Sequence, residues 1–206
     1  MPTRTYALAA AAVVIVGLAA GGYAVMRAPG DPFVDCRRGA DAGGAATIGG
    51  PVPLTGADGS RVTDTEAITK PTLVYFGYGF CPDICPTDLS RNALAAEALK
   101  ERGIDVGQVF VSIDPARDTP EAVGDFTAAM SASLPVRPTS AGSIAAAAKA
   151  YKVFYRKAGD DPANYLMDHS TFTYLMTPEP GFLEFFGSEA SPEEVAESVA
   201  CFAQAL

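Results

Sequence analysis

A strand-to-helix junction that carries two cysteines constrains the fold of this chain most. Residues 72–76, TLVYF, form a short apolar run rich in β-branched and aromatic residues, which is typical of a buried central strand. The stretch 77–89, GYGFCPDICPTDL, follows it, and residues 87–102 then have the pattern of a helix ended by Gly103. A cysteine motif at such a junction predicts a thioredoxin-like arrangement.

The other predicted elements complete an α/β sheet covered by helices on both faces. Asp58-Gly59 between two short alternating segments indicates a β-hairpin at the start of the domain. Further strands are expected at 109–113, at 135–139 as a short edge strand, and at 153–156, 171–176 and 182–185. Further helices are expected from Asp118 or Thr119 as cap, over 143–151, and from a capping box of Ser191 and Glu194 to the C-terminus.

The N-terminal segment predicts a membrane anchor. Residues 5–26 carry no charge and are bounded by Arg4 and Arg27. A helix of about 20 apolar residues spans the hydrocarbon core of a bilayer. The alternative is a cleaved signal peptide, whose apolar region is usually about 7–15 residues long, with Gly22-Tyr23-Ala24 as the cleavage site. Length favours the anchor.

This interpretation divides the chain into four parts. Residues 1–4 are expected to be cytoplasmic, 5–26 a transmembrane helix, 27–47 a linker, and 48–206 the folded domain. Arg4 supports a cytoplasmic N-terminus, although the arginines that follow the apolar segment weaken that argument.

The charge of the chain argues against one class of partner. The 206 residues include 15 Lys and Arg against 24 Asp and Glu, a formal charge of −9, and no basic cluster exceeds two adjacent residues. Nucleic-acid binding needs a basic surface, so we exclude it and attribute the acidity to solubility.

The spacing of Cys81 and Cys85 suits a shared site. Residues four apart on a helix lie on one face, and a helix N-terminus favours the thiolate form of a cysteine. The two sulfurs can therefore share a metal ion or close a disulfide as a redox couple. A static disulfide is the plain alternative, but so short a loop would stabilise the fold little.

A metal requires a further ligand, for which His169 is the candidate. It is the single histidine of the chain and lies in Met167-Asp168-His169-Ser170-Thr171, ahead of a predicted strand. In a thioredoxin-like sheet this loop faces the cysteine motif. Two thiolates and an imidazole suit copper or zinc rather than calcium or magnesium, and Asp168 can orient the imidazole. An ordinary hydrogen-bonded histidine is the alternative.

Two cysteines remain outside the motif. Cys36 lies in the predicted linker and Cys201 in the last helix. A disulfide between them would tie the linker beside that helix, and two unpaired cysteines are an alternative of almost equal weight.

Taken together, these residues show that the chain resembles the Sco/SenC (PrrC-like) family of copper-binding proteins over residues 48–206. The resemblance rests on four blocks in order: LVYFGYGFCPDICPTDL, VFVSIDPARDTPE, AAAAKAYKVFYRK and DHSTFTYLM. It implies a thioredoxin-like domain with an N-terminal β-hairpin, held by a single-pass anchor in the inner membrane. The domain would face the bacterial periplasm or, less favoured, the mitochondrial intermembrane space.

The resemblance also implies a site and a partner. The copper ligands of the family correspond to Cys81, Cys85 and His169. The family is associated with the binuclear copper site of cytochrome c oxidase subunit II, either by delivering copper or by keeping its cysteines reduced. Asp83, inside the motif, is implied as a residue that tunes the site or recognises a partner.

Two further features follow from the resemblance. The block DPARDTP is expected to form the wall beside the site, with Asp114, Arg117 and Asp118 as a structural ion-pair and capping cluster. Many members carry a polar residue or a histidine where this chain has Phe80, which makes the rim of the site more apolar.

Two functions from different classes stay open at this level. A copper metallochaperone needs all three ligands and is not a catalyst in the strict sense. A thiol-disulfide oxidoreductase would use Cys81 and Cys85 as its redox pair and would not require His169. A peroxiredoxin-type peroxidase and a redox or copper sensor are further alternatives.

Overall fold

The computed structural model describes residues 17, 32–37, 48–56, 58–130, 137–141, 144–161 and 164–206. Its elements in chain order are β1 (Pro53–Gly56), β2 (Arg61–Thr63), α1 (Asp64–Ala67), β3 (Thr72–Gly77), α2 (Ile84–Glu101), β4 (Gly107–Ser112), α3 (Pro120–Met130), β5 (Arg137–Ala141), α4 (Ile144–Tyr151), β6 (Tyr155–Ala158), β7 (Leu166–His169), β8 (Thr173–Met176), β9 (Phe182–Phe186) and α5 (Pro192–Ala205).

The predicted anchor at 5–26 lies outside the described residues apart from Gly17, as does most of the predicted linker. Among the residues that are described, no helix is long and apolar enough to cross a membrane. The chain divides into two compact units, residues 1–35 and residues 36–206, and the strands of the described part all belong to the second.

The second unit is built on a mixed seven-stranded sheet in the order β2-β1-β5-β4-β3-β8-β9. Strands β3, β4 and β5 run parallel, while β1, β8 and β9 are antiparallel to their neighbours. Every residue of β3 is buried, as its apolar sequence predicts for a central strand. The predicted hairpin at Asp58-Gly59 is confirmed by the antiparallel pairing of β1 with β2.

Helices cover both faces of the sheet, as predicted. Successive residues of a strand point to opposite faces, and this separates Tyr75 from Phe76. The ring of Tyr75 stacks on Phe110, which contacts Phe126 of α3, and α2 and α5 pack together on this same side. The ring of Phe76 contacts Tyr151 of α4 on the other face, with centroids 5.0 Å apart.

Several observed elements differ from the predicted ones. The strand expected at 135–139 is β5, and it lies inside the sheet between β1 and β4 rather than at an edge. Strand β7 was not predicted, because Leu166–His169 mixes polar and apolar residues in too short a run. Helix α2 begins three residues earlier than the predicted helix, at Ile84, so that both Cys85 and Pro86 lie in its first turn.

Parallel pairing of β3 and β4 positions the site. Gly77 at the end of β3 is in register with Ser112 at the end of β4, and the Ile113 amide donates to the Gly77 carbonyl at 2.8 Å. The cysteine stretch and the DPARDTP block therefore leave the sheet side by side. Strands β6 and β7 form a separate antiparallel hairpin that ends at His169.

Candidate metal centre

The turn between β3 and α2 brings the two motif sulfurs together. The Cys81 amide donates to the Tyr78 carbonyl at 3.2 Å, which closes a tight turn after the strand. Cys85 follows in the first helical turn, and its amide donates to Cys81 Sγ at 3.3 Å. Both cysteines are buried free thiols, so the static disulfide considered from the sequence does not occur in this structure.

His169 reaches this pair from the end of the β6–β7 hairpin. Its Nε2 lies 3.6 Å from Cys85 Sγ, and its Nδ1 donates to the Ser170 carbonyl at 2.8 Å. The hydrogen bond of Nδ1 fixes the orientation of the ring, so that Nε2 faces the sulfurs. The ligand atoms of Cys81, Cys85 and His169 all lie within 4.8 Å of one another.

The two thiols differ in acidity. Hydrogen bonding from Cys85 is the largest cause that lowers the pKa of Cys81, to about 4, and His169 and two backbone amides lower it further. The same interaction raises the pKa of Cys85, and burial raises it too. One interaction therefore lowers the pKa of Cys81 and raises that of Cys85, which favours a thiolate at Cys81 and a thiol at Cys85.

Two tyrosines enclose the imidazole. The rings of Tyr78 and Tyr75 meet His169 edge-on, with centroids 5.8 Å and 6.4 Å away. Burial raises the pKa of both hydroxyls, so they stay neutral and offer hydrogen-bond donors. The two aromatic rings, with their neutral hydroxyl groups, limit the access of water to the sulfurs.

Gly77 permits the close approach of the helix to the strand. A Cβ atom at this position would lie 3.0 Å from Cys85 Sγ and 2.9 Å from the Phe110 ring. Those distances are shorter than most side-chain contacts, and the ring belongs to the packed core. A side chain at residue 77 would therefore require Cys85 or the Phe110 ring to shift.

A buried charged cluster lies beneath the cysteines. Asp88 and Arg91 pair at 3.1 Å, with side chains 1% and 6% exposed. Ser188 donates to Asp88 at 2.9 Å, and Arg91 donates to the Gly187 carbonyl and to Thr173, each at 2.7 Å. Burial raises the pKa of Asp88. The cluster joins α2 to the segment that follows β9, and so supports the first turns of the motif helix.

The DPARDTP block forms the wall beside the motif, but its three charged residues have separate tasks. Asp114 pairs with Arg117 at 2.6 Å. Asp118 accepts a hydrogen bond from the Gly79 amide at 3.0 Å and another from the Ser112 hydroxyl. Asp118 therefore holds the cysteine loop and does not cap α3. Thr119 takes that role, because its hydroxyl accepts from the Ala122 amide at 3.2 Å.

The remaining sequence candidates lie around the rim. Asp168 does not orient the imidazole as expected, because alternation along β7 turns it outward, where it pairs with Arg156 at 2.5 Å. Asp83 is exposed at the N-cap position of α2, and its side chain makes no capping hydrogen bond. Phe80 is 53% exposed beside the motif.

Cys36 and Cys201 form a disulfide in the structure, far along the chain from the motif cysteines. Arg37, next to it, donates to the Leu183 carbonyl of β9 at 2.5 Å. The segment around residue 36 is thereby joined to both α5 and the edge of the sheet.

Several residues of the site were missed from the sequence. In the sequence Tyr75 and Tyr78 resemble ordinary strand residues. Their edge contacts with His169 depend on the order of the strands, which the local sequence does not indicate. For Asp88 and Arg91, the one indication in the sequence is their position on the same helix, three and six residues after Cys85. Ser170 had none, because it acts through its backbone carbonyl.

The donor set fits a soft or borderline metal ion. Thiolate and imidazole ligands suit copper and zinc, while calcium and magnesium prefer carboxylate and carbonyl oxygens. Within the described residues this trio is the group whose side chains converge in this way. The lowered pKa of Cys81 favours the thiolate, which is the form of cysteine that binds a metal ion.

Comparison with known proteins agrees with this chemistry. The family model described as SCO1/SenC matches residues 40–204. The chain is 50% identical over 206 residues to the protein SenC of Rhodobacter capsulatus, covering 99% of this chain and 91% of that one.

Solved structures are similar as well. The crystal structure of Arabidopsis thaliana ScoI with copper bound is 37% identical, with a TM-score of 0.71, and the match covers 76% of this chain and 99% of that one. The structure of Bradyrhizobium japonicum ScoI with copper bound is 34% identical, with a TM-score of 0.62 and coverage of 74% and 98%. The likeness to these structures supports the thioredoxin-like fold predicted from the sequence.

Proposed function

The chain belongs to the SCO1/SenC family, and from this membership and the geometry of the site we propose that it is a copper metallochaperone. It binds one copper ion through Cys81, Cys85 and His169. Its cargo goes to the binuclear copper centre of cytochrome c oxidase subunit II or of another periplasmic copper protein. The family is one of cytochrome c oxidase assembly proteins, which supports this destination.

One observation carries the proposal: the ligand atoms of the three residues lie within 4.8 Å of one another. Relatives at 37% and 34% identity have been solved with copper bound, which supports copper over zinc. Two sulfur ligands suit Cu(I), and the imidazole also makes Cu(II) accessible.

The chain's own residues suit release as well as binding. His169 is half-buried, and Cys81 is 7% exposed at the mouth of the motif loop. A partner cysteine can therefore approach from the side of Cys81, and ligands can be exchanged one at a time. The exposed Phe80 and Asp83 flank this approach and are proposed to contact the partner.

The location proposed for the domain is the periplasmic side of the inner membrane. Residues 1–4 would be cytoplasmic, 5–26 a transmembrane anchor and 27–47 a linker to the domain at 48–206. The absence of charge from 5–26 supports the anchor. The Cys36–Cys201 disulfide supports an oxidising compartment, where such bonds persist.

A copper titration tests the function. Reduced wild-type protein and His169→Ala are titrated anaerobically and followed by absorption and electron paramagnetic resonance. Wild type should form a one-to-one complex with a thiolate-to-copper charge-transfer band. The variant should bind Cu(II) much more weakly and still form a disulfide between Cys81 and Cys85. Unchanged Cu(II) affinity in His169→Ala would show that the ligand set is wrong.

A second candidate function is thiol-disulfide exchange with the partner's copper-site cysteines. The low pKa of Cys81 favours it, because the thiolate is the attacking species. Cys81 would attack a partner disulfide and form a mixed disulfide, and the departing partner thiolate would take up a proton. Cys85 would then lose its proton, attack Cys81 and release the second partner thiol. Two electrons pass to the partner, and Cys81–Cys85 ends as a disulfide. Wild-type protein that cycles this disulfide but binds no stoichiometric copper would favour this function.

A further inference from the structure

The segment that carries His169 is a two-stranded hairpin outside the main sheet. Strands β6 and β7 pair with each other through four residue pairs from Tyr155–His169 to Ala158–Leu166, and within the described residues they pair with no other strand. A two-stranded hairpin is at best marginally stable by itself in water. The position of the imidazole therefore depends on side-chain contacts between the hairpin and the domain.

Arg117 makes several such contacts. Its Nη1 donates to the Tyr165 carbonyl at 2.9 Å, immediately before β7, and its guanidinium carbon lies 3.6 Å from the centroid of the Tyr165 ring. Its Nε donates to Asp114 at 2.6 Å, and the Tyr165 hydroxyl donates to the other Asp114 oxygen at 2.7 Å. Three residues thus close a ring of contacts that joins the hairpin to the wall after β4.

The same guanidinium also contacts the cysteine loop. Its carbon lies 4.7 Å from the centroid of the Phe80 ring and 5.9 Å from that of Tyr78. Phe80 directly precedes Cys81, and more than half of its side chain is exposed. Arg117 therefore lies between the loop that carries the thiolates and the hairpin that carries the imidazole.

We propose that Arg117 is a positioning residue that clamps the His169 hairpin against the cysteine loop. While its contacts with Tyr165 and Asp114 hold, His169 Nε2 stays within reach of Cys85 Sγ. When they are lost, the hairpin opens and the site keeps its two sulfurs without the imidazole. The role of that opening in copper release rests on the proposed function, but the clamp itself does not.

The chemistry of the clamp requires arginine. The planar guanidinium donates to a carboxylate and a carbonyl while its face stacks on an aromatic ring. A lysine can pair with Asp114, but it offers neither the planar face nor donors in a fixed fork. Arg117→Lys should therefore preserve the fold around Asp114 and still loosen the hairpin.

Hydrogen exchange of the metal-free protein tests the clamp without any copper. In Arg117→Met, the amides of the β6–β7 hairpin should exchange about tenfold faster than in wild type, because the hairpin opens locally. Arg117→Lys should show a smaller acceleration of the same amides. The amides of β3 and β4 should exchange as in wild type in both variants.

Arg156→Met is the matched control. It removes an arginine of the same hairpin, whose pair with Asp168 is exposed on both sides and therefore stabilises little. Its exchange should equal that of wild type. Hairpin exchange that is unchanged in both Arg117 variants would overturn the clamp. Acceleration shared equally by β3 and β4 in both Arg117 variants would also overturn it, since it would indicate a general loss of stability.

Copper then provides a second readout. Cu(II) bound to Arg117→Met should lose the nitrogen coupling of the imidazole in its electron paramagnetic resonance spectrum, while the thiolate charge-transfer band remains. Arg156→Met should keep both signals. Failure of wild type to bind copper would remove the proposed function and leave the exchange result standing. Wild-type copper spectra in Arg117→Met would overturn the link between the clamp and the imidazole.

Discussion

Cys81 and Cys85 are the same residue type four positions apart, yet their environments assign them different charges. The Cys81 sulfur accepts from the Cys85 amide and from the Cys85 thiol at the start of a helix. The Cys85 sulfur lies deeper, against Gly77 and the core. The thiolate is therefore favoured at the more exposed of the two sulfurs.

The lowered pKa of Cys81 predicts an unusual pH profile of alkylation. A pKa of about 4 keeps the thiolate populated through neutral pH, so the rate of Cys81 with iodoacetamide should stay nearly level between about pH 6 and about pH 9. Burial lowers that rate at every pH without changing the profile. The rate should fall only as the pH approaches the pKa from above. Peptide mass spectrometry after timed quenching measures each cysteine separately.

The denatured protein is the control for that profile. In concentrated urea the rate of both cysteines should rise about tenfold per pH unit until the ordinary thiol pKa is reached. The same steep rise for Cys81 in the folded protein would contradict the assignment of the thiolate.

Residue positions in the site were predictable where they follow from spacing or strand order. The spacing of Cys81 and Cys85 and the place of His169 ahead of β8 are of this kind. The direction of a single side chain is not. Asp168 was expected to hold the imidazole, but β7 turns it outward, and the Ser170 carbonyl takes its place. A backbone acceptor leaves no signature in the sequence.

At the scale of elements, Asp118 connects the ends of two parallel strands. It follows β4, yet it accepts hydrogen bonds from Gly79 after β3 and from Ser112 within β4. Burial raises the pKa of Asp118, while these hydrogen bonds favour its charged form. The start of the cysteine loop is thereby fixed to the neighbouring strand.

Asp118→Ala is expected to lower the free energy of unfolding by about 2 kcal/mol, because it leaves the buried Ser112 hydroxyl and the half-buried Gly79 amide without this acceptor. Urea denaturation measures the change. The control is Asp125→Ala, which removes an exposed carboxylate of α3 and should change stability by less than about 0.5 kcal/mol. Equal effects of the two substitutions would contradict the structural role of Asp118.

Elements with a strong local signal were predicted well. The apolar runs of β3 and β4 formed the central strands, and α5 begins at the predicted capping box of Ser191 and Glu194. The position of β5 between β1 and β4 is a tertiary property, because its short sequence does not distinguish an edge strand from an inner one. Helix α1 has four residues, too few for a periodic pattern.

At the scale of the whole molecule, the Cys36–Cys201 disulfide joins residues separated by 165 positions. A cross-link over so long a loop restricts the unfolded chain strongly. It also fixes the start of the second unit beside its last helix.

The double variant Cys36→Ser, Cys201→Ser should lose about 2–4 kcal/mol of unfolding free energy relative to the oxidised wild type. Because the chain has no tryptophan, chemical denaturation is followed by far-ultraviolet circular dichroism. Copper stoichiometry should stay at one, because neither residue belongs to the proposed site. An unchanged unfolding free energy would show that the disulfide does not restrain the chain.

The central claim is that Cys81, Cys85 and His169 bind one copper ion together. X-ray absorption at the copper K-edge, on wild-type protein loaded with one equivalent of Cu(I), tests it most directly because the method identifies the neighbouring atoms. We expect two sulfur neighbours and one nitrogen neighbour with the multiple scattering of an imidazole. A shell of two sulfurs alone, or of nitrogen and oxygen alone, would contradict it.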